Sequence, residues 1–230
     1  MSIETIKECI MNNATLTNIE KLVFIDYSIS THSGKMEKIP SISTSSLENA
    51  FCNARCKNSD SICNKCYARR LLKMREALRD KMSVNHKFYT TYEVPAIAVP
   101  HINSSIFRFE SFGDVENEMQ VKNYYTIARN NRHCMFVLWT KNPHVIQAAK
   151  DKYKLRKPGN LRIIYSENLI NAPITDYSKK YSFIDKSFFV FTRDYAEKHG
   201  IKINCGSKDC SNCRICYEKN NVKIICELLK

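Results

Sequence analysis

The chain has 230 residues, 43% of them hydrophobic and 26% charged, which is typical of a folded globular protein and excludes a largely disordered chain. Its 36 Lys and Arg residues outnumber the 23 Asp and Glu residues, so the formal net charge is +13. The sequence contains no G-x-G-x-x-G, G-x-x-x-x-G-K-[ST], G-x-S-x-G or H-E-x-x-H motif. These absences argue against Rossmann dehydrogenases, P-loop NTPases, α/β-hydrolases and zincin proteases.

The first 50 residues predict a helix, a strand at residues 22–25, and a polar stretch rich in Ser and Thr. The N-terminus lacks the basic and apolar regions of a secretory signal, and no apolar run approaches the roughly 18 residues of a membrane span. We therefore expect a cytoplasmic protein without membrane contact.

A long helix is predicted at residues 67–82, and from residue 106 short apolar runs alternate with helical patterns. The predicted strands are 106–112, 135–139, 161–165 and 188–191, with helices at 118–129 and 142–149 between them. This alternation is typical of β-α-β units and predicts an α/β fold with a parallel sheet. We divide the chain into an N-terminal segment (1–50), an α/β core (51–200) and a C-terminal segment (201–230).

Each predicted strand is followed by polar residues. The carboxyl ends of parallel strands line the ligand sites of α/β proteins, so these residues are candidates for catalysis. The candidate catalytic residues are Asp114, Lys141, Glu167 and Arg193. The alternative is that the strands simply end in polar loops.

Two charged residues, Arg108 and Glu110, alternate with Phe107 and Phe109 inside the first of these strands. The alternation predicts that both charges lie on one face of the sheet. That face is exposed to solvent, or contains a buried ion pair, or lines a cavity.

Eight of the 11 cysteines form two groups, which give the strongest functional signal in the sequence. The first group is Cys52, Cys56, Cys63 and Cys66, and the second is Cys205, Cys210, Cys213 and Cys216. Thiolates two residues apart can converge on one metal, so we predict two four-cysteine metal sites. One mixed site formed by Cys63, Cys66, Cys213 and Cys216 is the alternative. A redox C-x-x-C pair is less favoured because no thioredoxin-like pattern surrounds it.

Zinc and a [4Fe–4S] cluster both accept four thiolates, and the formal charge of the occupied site is the same for either. The spacing favours iron–sulfur, because neither group follows a zinc-ribbon pattern. The clustered cysteines also fit metal binding better than disulfides in a reducing cytosol.

The first group, with Tyr67 after its last cysteine, resembles the radical SAM cluster motif C-x3-C-x2-C with extra residues between Cys56 and Cys63. The chain more closely resembles the uncharacterised phage family named gene product 88. That resemblance rests on Cys56, Cys63 and Cys66-Tyr67-Ala68, on the turn Ser111-Phe112-Gly113-Asp114, on Trp139-Thr140-Lys141, and on the segment from Cys205 to Cys216.

The resemblance implies a partial (β/α) barrel like that of radical SAM proteins, but no established activity. By analogy, Gly113, Asp114 and Ser166 would bind S-adenosylmethionine, and the second cysteine group would hold an auxiliary cluster. A phage origin would place the protein in the host cytoplasm.

Two functions follow from these observations. The first is an iron–sulfur enzyme of radical SAM type with one or two [4Fe–4S] clusters and an unknown substrate. The second is a zinc-stabilised nucleic-acid-binding protein without catalytic activity, because a charge of +13 and aromatic residues among basic ones suit phosphate contact and base stacking. We favour the first, with weak nucleic-acid binding as a consequence of the charge, because no recognised nucleic-acid-binding motif is present.

Overall fold

A computed structural model describes residues 1–206 and 209–229 of the chain. In this part, six parallel strands form one sheet in sequential order. The strands are β1 Ser41–Ile42, β2 Ile106–Phe109, β3 Met135–Thr140, β4 Leu161–Ser166, β5 Lys186–Phe191 and β6 Ile224–Leu228. The predicted α/β class and parallel sheet are confirmed, and the sequential order is consistent with a partial (β/α) barrel.

Helices precede and connect these strands. Those of the described residues are α1 Ile3–Met11, α2 Asn18–Ser28, α3 Ala50–Arg55, α4 Tyr67–Met74, α5 Glu76–Thr91, α6 Glu118–Asn130, α7 Pro143–Tyr153, α8 Arg193–Lys198 and α9 Cys210–Cys213. Short 3-10 turns occur at Gly34–Met36, Ile62–Lys65, Ala96–Ala98 and Tyr177–Lys179. No helix in 1–206 or 209–229 combines the length and apolar character needed to cross a bilayer.

The predicted strand at residues 22–25 is wrong, because these residues lie inside α2. A capping box starts that helix: the Glu20 N–H donates to Thr17 Oγ1 at 3.3 Å, and the Thr17 N–H donates to Glu20 Oε2 at 2.7 Å. Phe24 and Ile25 are fully buried. The apolar run therefore supplies the buried face of a helix rather than a strand.

The predicted helix at 67–82 is two helices that meet at Arg75, which has extended backbone angles (φ −121°, ψ 99°). The other predicted elements are confirmed with small shifts in their ends. The sequence did not predict β1 or β6, the two edge strands. They come from the N-terminal and C-terminal segments, so all three predicted segments contribute to one sheet.

The two faces of the sheet are covered differently. The helix-covered face carries Phe107, Phe109, Phe136 and Leu138 and packs in one core with α1, α2, α5, α6 and α7. The opposite face, which we call the cysteine-covered face, carries Ile106, Val137, Ile164, Phe188, Val190 and Ile225. Against it pack Cys205, Cys210, Cys216 and Tyr217. Three of the four second-group cysteines are therefore part of the fold, and the fourth, Cys213, is exposed.

Candidate functional site

Asp114 lies in the loop after β2, at the carboxyl edge of the sheet, and is only 6% exposed. Its carboxylate accepts hydrogen bonds from Thr140 Oγ1 at 2.5 Å and from the backbone N–H groups of Lys141 and Val115, both at 2.8 Å. Burial raises the pKa of Asp114, and the hydrogen bonds and the Lys141 charge oppose that rise. The carboxylate is thus fixed in position by the adjacent strand end.

Lys141 connects Asp114 to the next strand. Its Nζ donates to Ser166 Oγ at 2.5 Å, while its backbone N–H holds Asp114. Three of the predicted site residues, Asp114, Lys141 and Ser166, therefore form one hydrogen-bonded array along the carboxyl ends of β3 and β4. This is the position at which parallel α/β sheets bind ligands.

The first cysteine group lies over this array because its loop is hydrogen-bonded to two strand ends. Ser61 Oγ donates to Asn168 Oδ1 at 2.6 Å after β4, and Tyr67 Oη donates to the Ser111 carbonyl at 2.6 Å after β2. The loop follows β1 directly along the chain, through α3. All four first-group cysteines are partly buried.

Electrostatic coupling shows which thiols face the array. Burial is the main cause that raises the pKa of Cys52, and Asp114, Cys63, Glu110 and Cys66 raise it further. Burial also raises the pKa of Cys63, where the charge of Lys141 opposes the rise. Cys56 instead donates its thiol hydrogen to the Asn53 carbonyl at 3.3 Å. Asp114 thus raises the pKa of both Cys52 and Cys63, and Cys66 acts on the same two thiols.

Glu110 is 2% exposed and adopts a positive φ of 59° just after β2. Its carboxylate accepts hydrogen bonds from the Thr44 N–H at 3.1 Å, Thr44 Oγ1 at 3.0 Å, Gln120 Nε2 at 2.6 Å and the Tyr124 hydroxyl. Burial raises the pKa of Glu110 to about 7. Glu110 thus faces α6, which carries Gln120 and Tyr124.

Arg108 lies on the cysteine-covered face, where its guanidinium is 4.9 Å from the centre of the Trp139 ring. Its Nη1 also lies 3.3 Å from Met36 Sδ. Arg108 in β2 and Glu110 just after it therefore do not share one face, because the positive φ at Glu110 turns its side chain towards α6. The alternation of charged and apolar residues identified Arg108 and Glu110 as unusual, but it did not show which way either side chain points.

Two other predicted catalytic residues are placed differently. Glu167 accepts hydrogen bonds from the Asn168 N–H at 2.6 Å and from Tyr177 Oη at 2.8 Å, so its carboxylate supports the loop after β4. Arg193 begins α8, where its side chain is 73% exposed and lies 3.9 Å from Glu197. The structure gives neither residue a contact with Asp114 or Lys141.

Gly113 is required by packing rather than by backbone angle. A Cβ at this position would lie 2.7 Å from Glu110 Oε2, 2.7 Å from Thr44 Oγ1 and 2.8 Å from the Thr44 carbonyl oxygen. Real Cβ atoms do not approach other atoms so closely. Gly113 therefore lets the loop of Asp114 pack against Glu110 and Thr44, the second residue after β1.

Replacing Gly113 by Ala is expected to destabilise the fold by about 1–3 kcal/mol, the usual cost of overpacking. Gly159→Ala is the matched control, because a Cβ there meets no heavy atom within 4 Å. Denaturant unfolding of both variants measures the difference. Equal stabilities would contradict the close packing described around Gly113.

The second cysteine group lines one cavity, together with Lys35 and Tyr217. Lys35 Nζ lies 3.4 Å from Cys205 Sγ and 2.9 Å from Glu227 Oε1. Burial raises the pKa of Cys216 to about 12. The four thiols reach the cavity from three places: the strand-like segment at Cys205, helix α9, and the turn after it.

The residue types of the two cysteine groups favour metal binding, whereas the positions of the described side chains do not form a metal site. Each cysteine group supplies three or four thiols to one region, which is the ligand type of zinc and iron–sulfur sites. Among residues 1–206 and 209–229, however, no three His, Cys, Asp or Glu side chains are gathered closely enough to hold a metal ion. The residue types fit a thiolate-bound metal, and metal binding itself remains a proposal.

The sequence model of the family described as Gene product 88 matches residues 18–226. The chain belongs to this phage family. The match includes every element from α2 to the first three residues of β6, and both cysteine groups. No curated protein and no solved structure matches the chain. The family resemblance seen in the sequence is confirmed, and it brings no known activity with it.

Proposed function

We propose that this protein is an iron–sulfur enzyme in which the first cysteine group holds a [4Fe–4S] cluster beside a binding site for S-adenosylmethionine. The observation that carries the proposal is the position of Cys52, Cys63 and Cys66 over Asp114, Lys141 and Ser166. Cluster ligands and a polar array thus meet at the carboxyl edge of a parallel sheet.

The order of elements supports this proposal. A cysteine loop follows β1, the Gly113-Asp114 turn follows β2, and the strands continue in sequence around the sheet. The same order is implied by the resemblance to radical SAM proteins. A [4Fe–4S] cluster with an open iron position supplies electrons to S-adenosylmethionine when both are bound.

The side chains at the sheet edge have distinct parts in binding. Asp114, held by three hydrogen bonds, presents a fixed negative charge that suits the amino group of S-adenosylmethionine. Lys141 and Ser166 suit its carboxylate, because an ammonium group and a hydroxyl both donate hydrogen bonds. The buried surroundings strengthen these interactions relative to water.

The second group is proposed to hold an auxiliary four-thiolate cluster. Its cavity lies against the cysteine-covered face, where Lys35 contacts Cys205. A positive charge next to a thiolate cluster stabilises its negative charge. Metal binding at this group would also contribute to folding, because the C-terminal segment packs against four strands.

The test is S-adenosylmethionine binding to anaerobically purified protein, measured by equilibrium dialysis. Asp114→Asn is expected to weaken binding by about tenfold or more, because it removes one charge-assisted hydrogen bond. Asp151→Asn is the matched control, since that aspartate is exposed on α7. Iron content, measured on every preparation, reports whether each variant has folded around its clusters. If Asp114→Asn loses its iron, Lys141→Met is used in its place, and it is also expected to weaken S-adenosylmethionine binding.

Equal binding by wild type and a folded Asp114→Asn protein would contradict the proposed ligand site. Colourless protein that carries stoichiometric zinc would instead favour the zinc-stabilised nucleic-acid-binding protein. In that case Asp114→Asn should leave oligonucleotide binding unchanged or slightly stronger, because the variant removes a negative charge. The two functions therefore predict different results for one substitution: weaker S-adenosylmethionine binding for the enzyme, and no loss of oligonucleotide binding for the nucleic-acid-binding protein.

A further inference from the structure

A second cavity lies at the amino ends of β4, β5 and β6, the edge of the sheet opposite to Asp114 and Lys141. Its volume is about 390 Å³, within the usual range of small-ligand pockets. It is formed by the loop before β4, the residue before β5, and the turn before β6. Five cationic and two acidic side chains line it: Lys157, Arg162, Lys186, Lys219, Lys223, Asp185 and Glu218.

One of the two acids is already neutralised. Asp185 Oδ2 accepts a hydrogen bond from Lys157 Nζ at 2.7 Å and another from the Ile163 N–H at 2.8 Å. This leaves four cationic groups and one exposed carboxylate, Glu218, around the cavity. In the part of the chain that the structure describes, neither Lys219 nor Lys223 has a carboxylate within 4.0 Å.

Lys186 gives the cavity a fixed donor. It is 2% exposed, and its Nζ donates to the Ile215 carbonyl at 2.7 Å and to Asn220 Oδ1 at 2.5 Å. These bonds use two of its three donor hydrogens. Burial lowers the pKa of Lys186, and the charges of Lys223 and Arg162 lower it further, whereas Cys216 and Asp185 oppose the decrease. The cationic groups therefore repel one another, and an anion between them would relieve the repulsion.

We propose that this cavity binds a phosphate group. Lysine ammonium groups and an arginine guanidinium are the side chains that bind phosphate oxygens most strongly, and a concave site is better suited to them than a flat surface. The position at the amino edge separates this site from the first cysteine group and from the proposed cofactor site, and its cationic side chains, rather than the thiol of the neighbouring Cys216, define it. The inference therefore stands independently of the proposed function.

The test measures binding of inorganic pyrophosphate to the whole protein by calorimetry at low ionic strength, with sodium chloride at equal ionic strength as reference. The double variant Lys219→Glu and Lys223→Glu is expected to weaken binding by about tenfold or more, since two charged donors are reversed. The matched control reverses two exposed lysines elsewhere, Lys73→Glu and Lys198→Glu, with the same change in net charge. The control should bind within about twofold of wild type.

A second arm distinguishes a free phosphorylated ligand from the phosphates of a nucleic acid. A single-stranded thymidine oligonucleotide that competes with pyrophosphate, and is weakened only by the Lys219 and Lys223 variant, would assign the phosphate group to nucleic acid. Pyrophosphate binding without such competition would assign it to a small ligand. The proposal is overturned if pyrophosphate has no effect beyond that of chloride. Equal weakening by both double variants would also overturn it, because the effect would then come from net charge alone.

Discussion

The free energy of unfolding is expected to decrease between pH 4.5 and pH 7 by about 3 kcal/mol more in the wild type than in Glu110→Gln. Burial raises the pKa of Glu110 from 4.5 to about 7, so the folded state binds this proton more tightly than the unfolded chain does. The resulting stabilisation is complete below pH 4.5 and is lost as the pH rises through 7. A shift of about 2.5 pKa units corresponds to about 3 kcal/mol.

The measurement is urea unfolding of both proteins at pH 4.5 and pH 7. The groups that act on Glu110 are Thr44 after β1, Gln120 and Tyr124 on α6, and the charge of Asp114. Glu110→Gln leaves an amide beside several donors, so it is expected to be less stable at both pH values. The prediction is therefore tested only by the change in the free energy of unfolding of each protein between the two pH values. Parallel profiles would show that Glu110 remains ionised in the folded protein.

The sequence predicted the interior strands because buried parallel strands form continuous apolar runs, as in Met135–Trp139 and Phe188–Phe191. It did not predict β1, because Ser41 and the following Ser43 and Thr44 are polar yet fully or almost fully buried. Their hydroxyls are hydrogen-bonded, for example Ser43 Oγ, which accepts from the Ser111 N–H at 2.8 Å. The partners that make such burial possible are distant in sequence, so local composition could not reveal them.

The site was partly predictable for a similar reason. Residues after parallel strands meet at one edge, and Asp114, Lys141 and Ser166 lie together there in the structure. The same rule selected Glu167, whose side chain accepts a hydrogen bond from the loop after β4. It also selected Arg193, whose side chain is exposed to solvent. The rule gives the position of a residue but not the direction of its side chain. Glu110 faces α6 because of its positive φ, a backbone feature that the residue sequence does not show.

Because the two cysteine groups lie in different parts of the fold, a substitution in one group is expected to remove only the metal bound by that group. Cys63 belongs with Cys52, Cys66 and Asp114 at the carboxyl edge, whereas Cys216 belongs with Cys205 and Cys210 on the cysteine-covered face. If each group holds a [4Fe–4S] cluster, the anaerobic protein contains about eight iron atoms per chain. Cys63→Ser and Cys216→Ser are then each expected to lose about four, because a cluster that loses a thiolate ligand is held poorly.

Iron and acid-labile sulfide analysis of the two variants checks this, with Cys134→Ser as the control, since that buried thiol lies in the core of the helix-covered face. The control should keep all its iron. Loss of all metal from both variants would indicate the single mixed site of Cys63, Cys66, Cys213 and Cys216. The same iron analysis also distinguishes Cys52 from Cys56 in the first group. Because Cys52 faces Asp114 while Cys56 bonds to Asn53, Cys52→Ser should lose the first cluster and Cys56→Ser should keep it.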